Sequence, residues 1–382
     1  MWVNVILWST SFVLMLYSIL MLNYRYWFKK LQPIKVDTLH TPQTKFSIII
    51  PARNEENNIG NCLNSIISNN YPNELYEIIV VDDHSEDKTA LIVEEFIQQH
   101  SNIILIKLAT EIEAGKINAY KKKAIEVGIN KASGDWIVTT DADCVVKKEW
   151  LSLFDNYISK SDHVFIAAPV MFTDDGTILG RFQFIDFMAL QTATAASVAV
   201  GMHSMCNGAN LAYKKSVFIE VEGFKGIDNI ASGDDMLLMN KIKKLYPKNI
   251  GYLFAKGAIV TTHPMPTWKS FLNQRVRWAS KADKYDDKTI LPVLVIVYLL
   301  NLLIVVLFII GLIKPFYLIH TAIIIVIKSF FEWNFLNAAA IFFKKINYIE
   351  FSLLQALHIL YIVSAGWLGK FSTYSWKDRK VN

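Results

Sequence analysis

Residues 2–22, WVNVILWSTSFVLMLYSILML, contain no charged side chain. As a helix rising ~1.5 Å per residue, such a run reaches across the ~30 Å hydrocarbon core of a bilayer. Two more runs of this kind lie near the other end of the chain, roughly at 290–313 and 350–369. The segment 315–343 between them is apolar but carries Lys328 and Glu332, four residues apart. A helix stacks that pair on one face, where the two can neutralise each other inside a bundle. One span is expected there, making four in all. A secretory signal has its positive charge before the apolar run, whereas Arg25, Lys29, Lys30 and Lys35 follow it here. The expectation is therefore a retained anchor over residues 1–24, with its N-terminus outside and the next residues in the cytoplasm. Four crossings would leave the C-terminal residues outside, yet Lys370, Lys377, Arg379 and Lys380 favour the inside. Either the charge rule fails or one segment is re-entrant.

Hydrophobic residues make up 53% and charged residues 19% of the chain, too apolar a balance for a wholly cytosolic protein. The net charge of +5 is mild, and the basic residues cluster beside apolar segments, which argues against a nucleic-acid partner. The spans are too few to enclose a transport path. Cys62, Cys144 and Cys206 have neither metal-ligand spacing nor an even count, in keeping with a reduced, cytosol-facing region. One further stretch, 182–202, has the look of a span. Its Asp186 and two glutamines suit a buried or interfacial helix better.

Between about 45 and 145 the pattern alternates strand and helix. KFSIIIPA (45–52), EIIVVDD (77–83), NIILIKL (102–108) and DWIVTTDAD (135–143) are short apolar runs of the kind buried in a parallel sheet. Asn54 is the expected cap of the first intervening helix, whose stripe is Ile59, Cys62, Leu63, Ile66 and Ile67. Ser85 is expected to open the second, and a lysine-rich third is expected over about 116–131. Such alternation specifies a doubly wound α/β sheet with its ligands at the carboxyl ends of the strands. No glycine fingerprint follows the first strand, which argues against a nicotinamide or flavin enzyme.

The polar residues fall at those strand ends. Asp141 and Asp143 close the fourth strand two residues apart, so their carboxylates should converge. Such a pair suits a divalent cation with positions open to phosphate oxygens; the plainer reading is a solvated turn. Arg53 follows the first strand, and Asp82 and Asp83 follow the second. A carboxylate there accepts from a ribose hydroxyl or a base N–H, or simply caps a helix. Gly115-Lys116 would open the lysine-rich helix, a combination that favours a diphosphate, whereas Lys121, Lys122 and Lys123 read as a solvated face. The stretch Cys206-Asn207-Gly208-Ala209-Asn210 either lets the backbone approach an acceptor or makes an ordinary turn. Asp234 reads as a helix cap, and Asp235 as a cap or a general base. Gln274, Arg277 and Trp278 lie in a helix expected over 267–285, where Arg275, Lys281, Lys284 and Lys288 suit lipid headgroups. Arg277 could instead turn inwards to a leaving diphosphate. His263 is a candidate third metal ligand or a structural histidine.

In their order along the chain, SIIIPARNEENNI (47–59), VVDDHSED (80–87), Gly115-Lys116, Asp141-x-Asp143, Gly208-x-Asn210, Gly233-Asp234-Asp235 and Gln274-x-x-Arg277-Trp278 resemble the membrane-bound family 2 glycosyltransferases. The resemblance covers about 45–285 and extends to the flanking spans. It implies an α/β, Rossmann-like GT-A domain that binds a nucleotide sugar, over 45–266, followed by an interfacial helix at 267–288 and a membrane region at 289–370. It also implies inverting transfer dependent on a divalent cation, Mn or Mg. Asp82 and Asp83 would hold the nucleoside, Lys116 the diphosphate, and Asp141 and Asp143 the cation and sugar nucleotide. Asp235 would act as the base, with Gln274, Arg277 and Trp278 closing the acceptor and diphosphate side. The acidic pair departs from the more usual Glu-Asp, and Q-x-x-R-W also marks processive polysaccharide synthases. The expected function is one-at-a-time transfer to a lipid or lipid-linked glycan acceptor at the inner membrane of a bacterium, with the catalytic domain cytoplasmic. A polymer synthase is the alternative, and a non-catalytic scaffold the weaker one.

Overall fold

The computed structural model describes residues 2–110, 118–230, 232–281, 287–371, 374–376 and 379–381. A long helix, α1 (Trp2–Lys30), precedes β1 (Phe46–Ala52), α2 (Ile59–Ile67), β2 (Tyr76–Asp82), α3 (Thr89–Ile97), β3 (Ile103–Lys107), α4 (Tyr120–Lys131) and β4 (Trp136–Thr139). Then come α5 (Trp150–Ser159), β5 (Phe165–Ala167), β6 (Val170–Phe172), α6 (Ile178–Ala199), β7 (Leu211–Lys214) and α7 (Lys215–Glu220). After α8 (Met236–Leu245), β8 (Ile250–Tyr252), β9 (Val260–Thr262) and α9 (Trp268–Ala279), three apolar helices follow: α10 (Leu291–Ile313), α11 (Phe316–Ala339) and α12 (Tyr348–Phe371). Two short strands, β10 (Tyr374–Trp376) and β11 (Arg379–Val381), pair with each other.

The main sheet has the order β3-β2-β1-β4-β7-β5-β8. Its strands are buried on both faces because apolar residues occupy successive positions. Ile49, Ile79, Val81 and Ile137 belong to the core shared with α4 and α6, and Ile48, Ile50, Ile78, Val80 and Val138 to the core shared with α2 and α5. The chain places β2 on one side of β1 and β4 on the other, and that reversal opens a crevice at the strands' carboxyl ends. The sheet is not wholly parallel: β7 runs antiparallel to both β4 and β5. This reversal has a use. Leu211, at the start of β7, pairs with Thr139 at the end of β4, so the 206–210 stretch arrives at the crevice.

Several local expectations need correction. Asn54 does not cap α2, which starts at Ile59 after Asn58. It sits at φ 51°, and its side-chain oxygen accepts the Glu86 N–H at 2.9 Å. Ser85 does not open a helix; α3 begins at Thr89, and the Ser85 hydroxyl accepts the Asn54 N–H at 3.0 Å. These two exchanges lock the β1 and β2 loops together. The strand β4 ends at Thr139, so Asp141 and Asp143 lie in the turn beyond it and owe their placement to that turn rather than to strand pleat.

Among the described residues four helices, α1, α10, α11 and α12, are long and apolar enough to cross a membrane. The stretch 182–202 is not among them. Its helix α6 is largely buried and packs between the sheet and α1 and α11. Lys328 and Glu332 pair as their spacing implied, at 2.7 Å. Gln355 of α12 completes the cluster, accepting from Lys328 at 2.9 Å and donating to Glu332 at 2.8 Å, and the Tyr17 hydroxyl of α1 also donates to Glu332. Removing one member of a buried pair strands the other charge and typically costs about 3–5 kcal/mol. Lys328→Met should therefore lower the thermal midpoint of the detergent-solubilised protein far more than Lys328→Met with Glu332→Gln. Equal losses in the two variants would rule out a stabilising role for charge neutralisation there.

Candidate functional site

A cavity of about 1140 Å³ opens at the carboxyl ends of β1 and β4. Arg53, Asp83, Asp141, Asp143, Asp234 and Asp235 line it, and so do His263, Gln274, Arg277 and Trp278. Two of the expected residues are not on its wall. Asp82 is buried at the end of β2, and its Oδ1 has no hydrogen-bond partner among the described residues. Lys116 lies outside the described residues.

The floor is built by the β1 and β2 loops. Arg53 Nη1 donates to the Asp83 and His84 carbonyls at 2.9 Å each, and Asp83 Oδ1 lies 3.0 Å from His84 Nδ1. Asn54 and His84 both have positive φ, 51° and 54°, which turns the two loops towards each other. The arrangement leaves Asp83 buried but at the edge of the cavity.

Across from this floor, carboxylates and lysines interleave. Lys121 Nζ lies 2.7 Å from Asp141 Oδ1 and 3.4 Å from Asp234 Oδ2. Burial works against the Lys121 charge, but Asp141 and Asp234 outweigh it and hold its pKa above the ordinary lysine value. Burial likewise opposes ionisation of Asp234, yet Lys121 and Lys281 leave its carboxyl below the usual range. The neighbouring Asp235 goes the other way: burial, then the Asp234 charge, push it up. Asp235 accepts the Gly208 N–H at 3.1 Å and the Met236 N–H at 2.7 Å. The cap of α8 is thus Asp235, and the expectation that Asp234 caps it is corrected. A Cβ at Gly208 would stand 2.9 Å from Asp234 Oδ2, so any larger residue would push that carboxylate aside.

Asp143 accepts the Thr262 hydroxyl at 3.1 Å. Its carboxyl is pushed up by burial first, then by Asp141 and Glu55. A cation there would relieve that repulsion, and two hard oxygen ligands completed by phosphate oxygens are what Mg²⁺ or Mn²⁺ accepts. Asp141 and Asp143 therefore fit such an ion. Among the described residues no three His, Cys, Asp or Glu side chains are gathered into a ready metal cage. His263 is not brought to the pair as a third ligand: it is exposed, with Nδ1 3.3 Å from the Thr173 hydroxyl. Asn210 is structural too. It is fully buried, donating to the Pro169 and Ala258 carbonyls at 2.8 Å and accepting from Trp150 at 2.9 Å.

The helix α9 brings Gln274, Arg277 and Trp278 to the cavity. A capping box between Thr267 and Ser270 starts it, and it ends at Ala279, short of the expected 285. Arg275 does not reach for headgroups. It is buried against Asp186 of α6, at 2.8 and 3.1 Å, and its guanidinium lies over Phe271 at 4.7 Å and Trp278 at 4.3 Å. It also donates to Gln274 Oε1 at 2.6 Å, so the Asp186 pair braces two of the three motif residues. Lys281 likewise lines the cavity rather than the headgroup layer, and burial, opposed by Asp235 and reinforced by Arg277, lowers its pKa. Nor do Lys121 and Lys122 form a solvated face. Lys122 is 2% exposed and donates to the Ile227 and Ile230 carbonyls at 2.6 and 2.7 Å, tethering the loop that leads to Asp234.

Lys121 and Lys281 were thus missed as site residues. A run of three lysines carries no mark of which one faces inwards. Asp186 did carry a signal, since a lone acid in an apolar helix calls for a partner. Replacing Lys121 by Met should raise the folded-state pKa of Asp234, which Lys121 helps to hold down. Carboxylates so raised cost stability above their unfolded pKa of about 3.9. The loss of thermal stability relative to the parent should therefore be largest near neutral pH and shrink as pH falls towards 4. A deficit independent of pH would contradict this electrostatic account.

The family model described as Glycosyl transferase family group 2 matches residues 136–375, more than half of the chain, and the model described as Glycosyl transferase family 2 matches 47–221. The chain is 29% identical over 252 residues to the probable glycosyltransferase YdaM of Bacillus subtilis, covering 62% of this chain and 54% of that protein. It is 26% identical over 264 residues to a poly-beta-1,6-N-acetyl-D-glucosamine synthase of Staphylococcus epidermidis, covering 66% and 59% respectively. The chain thus spans little more than half the length of these relatives. Among solved structures, the mannosyltransferase PcManGT of Pyrobaculum calidifontis, in complex with GDP-Man and Mn²⁺, aligns over 96% of this chain and 98% of its own. Its TM-score of 0.60 at 18% identity is a likeness of fold, and the fold is GT-A. With the family models spanning the sheet, the carboxylate-lined cavity and the apolar helices, the chain belongs to the family 2 glycosyltransferases.

Proposed function

We propose that this protein transfers a sugar from a nucleoside-diphosphate sugar to a lipid or lipid-linked acceptor, with inversion, at the cytoplasmic face of the membrane. One observation carries the acceptor class. The cavity that holds the carboxylates continues without a break along apolar side chains of α10 and α12, among them Leu294, Val295, Ile362 and Ala365. Leu291, Val295 and Trp367 also line it and are 45%, 51% and 61% exposed, so its far arm opens on the surface that faces lipid. A soluble acceptor has no use for such an arm. In this reading the domain over 45–266 is the catalytic unit, 267–288 joins it to the membrane, and residues 1–24 and 289–370 hold it there.

Each side chain then has a task. Asp83 and Arg53, at the cavity edge, receive the nucleoside, while Asp82, buried behind them at the end of β2, keeps a nucleoside role only as the resemblance gives it. Asp141 and Asp143 hold the divalent cation, and Lys116 keeps the diphosphate role that the resemblance gives it. When bound, the cation neutralises charge developing on the leaving nucleoside diphosphate. Arg277 and Lys281 serve the same departing charge from the membrane side. The acceptor oxygen attacks the anomeric carbon from the face opposite the diphosphate, the carbon–oxygen bond to the diphosphate breaks, and Asp235 takes the acceptor's proton. Asp234, held anionic by Lys121 and Lys281, is poorer in proton affinity and better suited to fixing those lysines.

The similarity to a polysaccharide synthase favours a second reading, repeated transfer to a growing chain. Product length separates the two. Purified full-length protein would be given Mn²⁺ or Mg²⁺ and a panel of UDP- and GDP-sugars, and nucleoside diphosphate release followed with and without polyprenyl phosphate. Release stimulated by lipid, with a single sugar added, is the expected result; release indifferent to lipid would overturn the acceptor assignment. Asp143→Asn should abolish cation-dependent donor binding. Asp235→Asn should leave donor binding intact while lowering turnover by about 10²–10⁴, the usual worth of a general base. Because the Asp235 carboxyl is raised, its basic form is lost as pH falls through a value above the ordinary ~3.9, and the acid limb of kcat/KM should lie there. A limb below that value would point to Asp234 instead.

A further inference from the structure

We infer that α12 does not cross the bilayer but lies along its surface on the catalytic side, one face on the catalytic domain and the other in the lipid of the adjoining leaflet. This inference concerns topology and stands independently of the transferase reading.

The frame is set by α1, α10 and α11. Their far ends meet where the Tyr317 hydroxyl donates to Asn4 at 2.9 Å and where Gly311 packs on Leu318, a Cβ there standing 2.7 Å from it. Their near ends meet the catalytic domain. Phe254, which follows β8, packs on Phe28 of α1 at 5.2 Å and on Phe342, just past α11, at 3.9 Å between ring centroids. These three helices therefore run away from the domain and back.

The fourth helix behaves differently. At its start, Glu350 accepts from Arg181, in the first turn of α6, at 3.1 Å. In its middle, the Tyr361 ring packs on Phe271 of α9 at 5.3 Å, and its hydroxyl donates to Asp186. At its end, Gly369 lies against α9, where a Cβ would stand 2.8 Å from Ala279 Cβ. Glu350 to Gly369 is about 28 Å of helix at ~1.5 Å per residue, nearly the thickness of the ~30 Å apolar core. A helix crossing that core touches a domain on one side at one end only; α12 touches α6 or α9 at both ends and between, and Gln355 on its inner face also meets Lys328 and Glu332 of α11. The strand β10 then continues beside α9.

The outward face has the composition for this position. Leu353, Leu360, Trp367 and Phe371 are 75%, 55%, 61% and 70% exposed, and their spacing of seven, seven and four keeps them in one stripe. Phe351, Gln355, Ile359 and Ala365 form the buried face. Apolar side chains at both borders extend the stripe: Ile178 at the start of α6 is 73% exposed and Ile341 beyond α11 is 80% exposed. With α12 in the plane, Lys370, Arg379 and Lys380 fall on the same side as Arg25, Lys29 and Lys30 at the end of α1, and the topology agrees with the positive-inside rule.

Single cysteines in the full chain test the inference, introduced as Lys345→Cys before α12, Asn382→Cys after it and Lys314→Cys between α10 and α11. Each would be labelled with a membrane-impermeant maleimide in right-side-out and inverted bacterial inner-membrane vesicles, against the parent with its own three cysteines. Lys345→Cys and Asn382→Cys should label from one face only, and the same one, with Lys314→Cys labelled from the other. Labelling of Asn382→Cys from the Lys314 face would overturn the inference. Fusions of a fluorescent protein and of alkaline phosphatase to the C-terminal residue give the same decision without cysteine chemistry: fluorescence with inactive phosphatase supports it, and active phosphatase overturns it.

Discussion

The ion pair of Asp186 with Arg275 is the contact through which the membrane-facing part of this protein and its carboxylate cavity share one geometry. Both side chains are 4% exposed, so neither tolerates the loss of the other without leaving a buried charge. Asp186 belongs to α6 and Arg275 to α9, and Tyr361 of α12 shares the carboxylate. Arg275 in turn fixes the Gln274 amide and covers the Trp278 ring. A fork-shaped guanidinium can do all of this at once, whereas a lysine cannot. The motif residues at the cavity are thus oriented from beneath, by an acid 89 residues earlier in the chain.

Charge is balanced within the cavity by neighbours that differ in sequence distance. Lys121 lies between the carboxylates of Asp141 and Asp234, and the reversed strand β7 brings Gly208 to Asp235. Two adjacent aspartates with opposite pKa displacements result, one held anionic and one drawn towards protonation. Environments that separate two carboxyl groups in this way are how a site divides its roles.

Much of this was legible in the sequence, and the limits are physical. The buried strands stood out because a strand covered on both faces needs an unbroken apolar run, as in FSIIIPA. The carboxylates at the strand ends followed from the alternation alone. What could not be read was direction. The antiparallel sense of β7 depends on where α6 releases the chain, and LAYK reads the same either way. The lysines at 121 and 122 read as a solvated face because Asp234 and the carbonyls of Ile227 and Ile230 lie over 100 residues away, and Asp141, the nearer partner of Lys121, is reached only across the sheet. Asn54 looked like a cap because a side-chain oxygen before a helix usually is one; here the Glu86 N–H claimed it.

The packing of Phe254 has a further consequence. Its ring is held between Phe28 and Phe342, and its carbonyl accepts the Ile34 N–H at 2.8 Å. Two apolar helices far apart in the chain, α1 and α11, therefore grip the sheet domain at one point, while α9 and α12 pack together at another. A domain fastened twice cannot tilt against these helices, so the place of Asp235 relative to α1 and α11 is set by the fold. On the proposed transferase reading, the acceptor has to come to that carboxylate, because the carboxylate cannot swing out to meet it.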